Sequence, residues 1–170
     1  PLQANSDWAQ GGIIYNATTD PEKFAADIVA ASDNTANPNA VQHLVREGHT
    51  AVRDLLIDDL HVPFDRDPSG SLEFTREGGH SERRIIHAKD TTGHAILASI
   101  AARVDSTPGI HRRLGWVAVD LLTLSHSTDN LADRYEPLTC FGAYVLDTAS
   151  AEVFAIIAKK TILATGGLGQ

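Results

Sequence analysis

The chain has 170 residues, with 42% hydrophobic and 21% charged side chains, the composition of one ordinary globular domain or one domain plus a small subdomain. Fourteen Lys and Arg against 22 Asp and Glu give a net charge of −8 and no basic patch, which argues against a nucleic-acid backbone as partner but not against small anions held by backbone N–H groups. A single cysteine, Cys140, excludes an internal disulfide framework and fits a reducing compartment, and no apolar run approaches the ~20 residues of a membrane span.

In chain order, the first chemical motif is Trp8-Ala9-Gln10-Gly11-Gly12-Ile13. Two adjacent glycines remove two Cβ atoms and permit positive φ, so backbone can approach a flat or anionic ligand; the same residues also suit a plain tight turn. Thr19 or Asp20 caps a predicted helix that opens at Pro21 and carries Phe24, Ile28 and Val29 on one face. Asn37-Pro38 repeats that signal for Val41, Leu44 and Val45, and a break near Gly48 and His49 separates a third helix with Val52, Leu55 and Leu56. Residues 61–74, with Pro63, Pro68 and Gly70, read as loop or short edge strands.

The densest cluster of reactive side chains is Thr75-Arg76-Glu77-Gly78-Gly79-His80-Ser81, followed by Arg83, Arg84 and His87. Its arginines offer forks for carboxylate or phosphate, and Glu77 beside two glycines presents a carboxylate from a loop. A solvated, salt-bridged loop is the other reading of these residues. His80, His87 and His94 recur every seven residues without cysteine support, which does not match metal-ligand spacing. A further helix is predicted from Thr92 to Val104, capped by Asp90, Thr91 or Thr92. Beyond it Trp116–Leu124, Thr139–Leu146 and Glu152–Ala158 predict strands, joined by loops too short for crossover helices and therefore antiparallel. The apolar run Thr161–Ala164 suits a central strand buried on both faces, and it opens into Thr165-Gly166-Gly167, either a cofactor-facing turn or a simple strand exit.

Taken in order, these motifs resemble the L-aspartate oxidases of the succinate dehydrogenase/fumarate reductase flavoprotein family. The stretches that carry the resemblance are Ser6–Ile13, Pro63-Phe64-Asp65, Leu72–Ser81, Arg83–Gly93, Val117–Leu122, Gly142–Leu146 and Ala158–Gln170, with Thr75–Ser81 the most specific. The resemblance implies an α/β fold of α+β character. It makes residues 1–170 part of a Rossmann-like FAD-binding domain, with helices first and an antiparallel meander last. It also implies FAD-dependent oxidation of L-aspartate to iminoaspartate in NAD biosynthesis through quinolinate, in the cytoplasm. Oxygen or fumarate would be the electron acceptor and quinolinate synthase a candidate partner.

By position, the resemblance assigns Asn5, Ser6, Asp7, Trp8, Ala9, Gln10, Gly11 and Gly12 to the FAD, Ala118 and Val119 to its adenine end, and Ala164, Thr165, Gly166 and Gly167 to its adenosine side. Glu77 would orient the substrate near its amino group as the catalytic carboxylate, with His80 and Thr75 beside it as further substrate-binding residues. Relatives with covalent flavin carry a histidine six residues before the glycine pair; Asn5 stands there, so the FAD is expected to be noncovalent. Lys89 and His94 stand where the family leads one to expect a small residue and an arginine. The chain has no methionine and no dinucleotide fingerprint ahead of the first glycine pair, so it reads as a segment of a longer protein, expected to be inactive alone. A fumarate reductase or succinate dehydrogenase type of flavoprotein, and a noncatalytic nucleotide-binding or interaction module, are the alternative readings.

Overall fold

A computed structural model describes residues 4–15 and 20–166, which form two compact units, Pro1–Ile110 and His111–Gln170. In the first unit, helix α1 (Pro21–Ala31) begins where Asp20 accepts a bond from Lys23 N–H, with Pro21 in the first turn. Thr19, the other cap candidate, lies outside the described residues. Asn37 caps α2 (Pro38–Ala51) in the same way, accepting from the N–H groups of Asn39 and Ala40.

The break expected at Gly48-His49 is absent. Helix α2 runs through both residues and continues as wider π-helical turns over Val52–Asp59. A glycine inside a helix costs only about 1 kcal/mol. That cost is met here by burial of Val41, Val45, Val52 and Leu56 along one continuous face. Helix α3 (Thr92–Ser106) follows its predicted span, with Thr91 at the N-cap position but no side-chain cap bond. Instead the Thr92 hydroxyl accepts from Ala88 N–H at 3.0 Å and ties the helix start to the preceding segment.

Two short strands organise this unit. Strand β1 (Ile13–Ile14) pairs antiparallel with β2 (Ile85–Ile86), Ile13 opposite Ile86 and Ile14 opposite Ile85. Successive strand residues face opposite ways. Accordingly Ile13 packs against the cluster Val52, Leu56, Val62, Phe64 and Ile86, while Ile14 packs against Phe24, Val41 and Val45.

The second unit contains the expected meander: β3 (Trp116–Thr123), β4 (Cys140–Asp147) and β5 (Glu152–Ile157), antiparallel in that order. The final run does not form the buried strand its composition suggested. Residues 161–166 are irregular, and Ile162 and Leu163 are 87% and 61% exposed. A central strand needs hydrogen-bonded neighbours on both edges, and no described strand pairs with this run.

Candidate functional site

The first glycine pair sits between a 3₁₀ turn, Asn5–Trp8, and strand β1. Neither Gly11 nor Gly12 adopts positive φ, so the pair is not used for unusual backbone angles as its sequence suggested. It is used for close approach. A Cβ on Gly12 would overlap the Ile85 side chain and the Ile86 carbonyl, so Gly12 lets β1 enter its pairing with β2. A Cβ on Gly11 would stand 2.9 Å from Glu77 Oε2.

Glu77 reaches this turn across 65 residues of sequence: Gly12 N–H donates to Glu77 Oε1 at 3.1 Å. The chain folds that way because the segment between Thr75 and Ile85 is pinched at its base. Thr75 N–H donates to Ile85 O (2.8 Å) and Ile85 N–H to Thr75 O (3.2 Å). Within the excursion, His80 N–H donates to Glu77 O at 3.2 Å and closes a turn through Gly78 and Gly79, the latter at φ +83°. The two glycine pairs of the first unit and Glu77 are thus brought together, as their spacing alone could not reveal.

His80 lines a cleft of about 350 Å³ with Ile14, Asp27, Ile28, Ala31, Ser32, Gly78 and Gly79, and its buried Nδ1 has no hydrogen-bond partner. Thr75 holds the base of the loop rather than its tip. His87 pairs with Asp65 (3.0 Å) and His94 with Asp7 (2.8 Å), so the three histidines spaced by seven serve separate contacts. Asp7 is thereby tied to the first turn of α3, and the 3₁₀ turn is seated further by Gly93 N–H, which donates to Ala9 O at 3.0 Å.

The far end of the loop is held by a cluster the sequence did not flag. Asp27 Oδ2 accepts from Ser81 N–H (2.9 Å), from Ser81 Oγ–H (2.8 Å) and from the Arg84 guanidinium. Arg84 is 1% exposed and lies over the Phe24 ring, 5.1 Å from its centroid, with Glu82 Oε2 at 3.5 Å. The Ser81 amide, then its hydroxyl and the Arg84 charge, hold the Asp27 carboxyl at about 2, well below the usual 3.8. The signal was present: Asp27 interrupts the apolar stripe of Phe24 and Ile28, where an unpaired carboxylate would not be tolerated.

In the second unit, the register places Ala118 opposite Val145 and Asp120 opposite Tyr144, which leaves Val119 as the extra residue of a bulge. Ala118 and Val119 are exposed on β3, an outer strand of the meander. Ala164, Thr165 and Gly166 are exposed as well, with Gly166 at φ +75° and open space where its Cβ would be. Gly167 lies outside the described residues.

From Asn5 to Gly12 every residue but Asp7 is exposed. The Gly12 amide is engaged by Glu77, and the exposed backbone around Gly11 leaves a flat group room to approach.

Residues 1–170 match the family model described as FAD binding domain. The chain is 41% identical over 173 residues to an L-aspartate oxidase of Halobacterium salinarum, covering 100% of this chain and 31% of that protein. It is 37% identical over 169 residues to L-aspartate oxidase 1 of Ralstonia nicotianae, covering 97% and 30%. The chain therefore spans about a third of the length of these relatives. Among solved structures, a variant of the E. coli quinol fumarate reductase FrdA superposes with TM-score 0.82 at 24% identity, over 98% of this chain and 26% of that one. Mycobacterium smegmatis Sdh1 superposes with TM-score 0.77 at 18% identity, over 98% and 28%. At those identities the likeness is one of fold.

Proposed function

Because the chain belongs to the FAD binding domain family, we propose that it forms part of a flavoenzyme that oxidises L-aspartate to iminoaspartate, with FAD bound noncovalently. FAD, when bound, supplies the hydride acceptor. The residues that would hold it are Asn5–Gly12 in the first unit and Ala118, Val119 and Ala164–Gly167 in the second. Glu77 would orient the substrate by pairing with its ammonium group, with His80 and Thr75 beside it as further substrate-binding residues. The proposal extends to oxygen or fumarate as electron acceptor, to quinolinate synthase as a partner and to a cytoplasmic location. Among the described residues no helix is long and apolar enough to cross a membrane.

The observation that carries the reading is the 3.1 Å bond from Gly12 N–H to Glu77 Oε1. It sets the Glu77 carboxylate on the turn assigned to the cofactor. A carboxylate there attracts an amino-bearing dicarboxylate and repels a plain one, which favours aspartate over succinate. That preference separates this reading from a fumarate reductase or succinate dehydrogenase activity. Turnover of both compounds by the full-length protein compares the two directly.

Glu77→Gln keeps an oxygen to accept from Gly12 but loses the charge. In the full-length enzyme it is expected to raise KM for L-aspartate about tenfold or more, as loss of a charge-assisted bond should, with the flavin absorbance unchanged. An unchanged KM rejects the substrate role. Asn5, at the position of the covalent-flavin histidine, carries the second expectation: acid precipitation of the full-length protein leaves its flavin in the supernatant. Flavin that stays with the precipitate refutes noncovalent binding.

A further inference from the structure

We propose that Asp27 is a positioning residue that acts through Ser81 to hold Glu77 on the Gly12 amide, so that helix α1 sets the geometry of the glycine turn. The consequence for flavin rests on the reading above; the positioning itself does not.

Besides the Glu77 bond itself, the loop between Thr75 and Ile85 is tied down at its base, at Asp27, and by an ion pair of Glu82 with Lys23 of α1 at 2.6 Å. The paired backbone bonds of Thr75 and Ile85 fix where it leaves and returns, but not where its tip lies. The tip contains Gly78, with no atom within 4 Å of its Cβ position, and Gly79 at φ +83°. Two glycines with so little around them give the tip no stiffness of its own.

The Lys23–Glu82 pair is partly exposed to solvent and worth little, so placement of the tip falls chiefly to Asp27, where one oxygen collects both donors of Ser81 and the Arg84 guanidinium. That anchor is stiff because Arg84 is fully buried and cannot leave its partner without stranding a charge. Ser81 follows directly on the turn closed by His80 N–H and Glu77 O, so fixing Ser81 fixes the turn that bears Glu77. Among the described residues no hydrogen bond joins Asp27 to Gly12 or Glu77, so it works at one remove.

Residue-resolved amide exchange of Gly12 in the flavin-free full-length protein tests this, because the Glu77 bond protects that amide. Asp27→Ala is expected to accelerate Gly12 exchange about tenfold. Because Asp27→Ala strands a buried cation, the double variant Asp27→Ala/Arg84→Met, which removes both charges, keeps the question answerable in a folded protein. It is expected to show the same acceleration.

In a Glu77→Ala background, where the bond is already gone, adding Asp27→Ala should change Gly12 exchange less than about twofold. Val45→Ala, a cavity in the α2 core at a residue that makes no hydrogen bond to the loop, supplies a general loss of stability for comparison. Unchanged Gly12 exchange in the double variant overturns the proposal. So does an equal effect from Val45→Ala, or full additivity with Glu77→Ala. Flavin affinity, measured separately, tests the flavin reading: protection without flavin binding would sink that reading and leave the positioning role standing.

Discussion

Gly93→Ala is expected to destabilise the first unit by about 3 kcal/mol or more and to weaken flavin binding with it. The added methyl would overlap the Ser6 carbonyl oxygen and stand 2.9 Å from Ala9 Cβ and 3.0 Å from Ala9 O. Gly93 is buried at the start of α3, and its N–H holds Ala9 O, so neither the helix nor the turn can yield alone. Backbone is being asked to move, not the end of a flexible side chain. The 3₁₀ turn Asn5–Trp8 would be displaced, and Gly11 and Gly12 follow it directly. The melting temperature and the quenching of flavin fluorescence on titration measure the two effects. Gly78→Ala is the matched control. Its Cβ meets nothing within 4 Å and its φ is ordinary, so stability should stay within about 0.5 kcal/mol. A Gly93→Ala protein as stable as that control would show that the turn is not seated on α3.

Asp27→Ala at neutral pH is expected to cost about 3–5 kcal/mol, the usual penalty for removing one partner of a buried ion pair. Arg84, 1% exposed, would keep the Phe24 ring and, as its carboxylate partner among the described residues, Glu82 at 3.5 Å. Acid should produce part of the same loss in the unaltered protein. The Asp27 carboxyl is depressed in the folded chain to about 2 from 3.8, so its contribution is fully present above pH 4 and disappears as pH falls towards 2. The shift corresponds to at most about 2 kcal/mol, because the Ser81 bonds that lower it lie at the solvent edge. Urea titrations at pH 7, 4 and 2.5 should show the gap between the unaltered protein and Asp27→Ala narrowing only below pH 4. A gap that stays constant across that range would remove Asp27 from the acid response.

The parts of the fold legible in the sequence are those with local causes. Asp20-Pro21 and Asn37-Pro38 announced α1 and α2 because a cap and a proline act within one turn. The meander was legible because alternating strands joined by short loops have one way to pair. Gly48 misled because its cost is small beside the burial of the face it interrupts. Thr161–Ala164 misled because hydropathy describes what a strand would bury, not whether neighbours are there to pair with it. In the candidate site, Glu77 and the glycine pairs were visible as types of residue. Their meeting depends on a bridge from Thr75 to Ile85, which no spacing rule contains. Asp27 stayed hidden because its meaning comes from Arg84, 57 residues away.

Strand β1 consists of two identical side chains, Ile13 and Ile14, divided between two cores. Hydrophobicity alone cannot tell one from the other, so it cannot keep the strand from sliding by one step. The empty side of Gly12 does. Sliding one way drives an isoleucine into the Ile86 carbonyl; sliding the other way puts a glycine where a core needs a side chain. A missing methyl group thus serves as the registration mark that sets how far the glycine turn projects from the sheet.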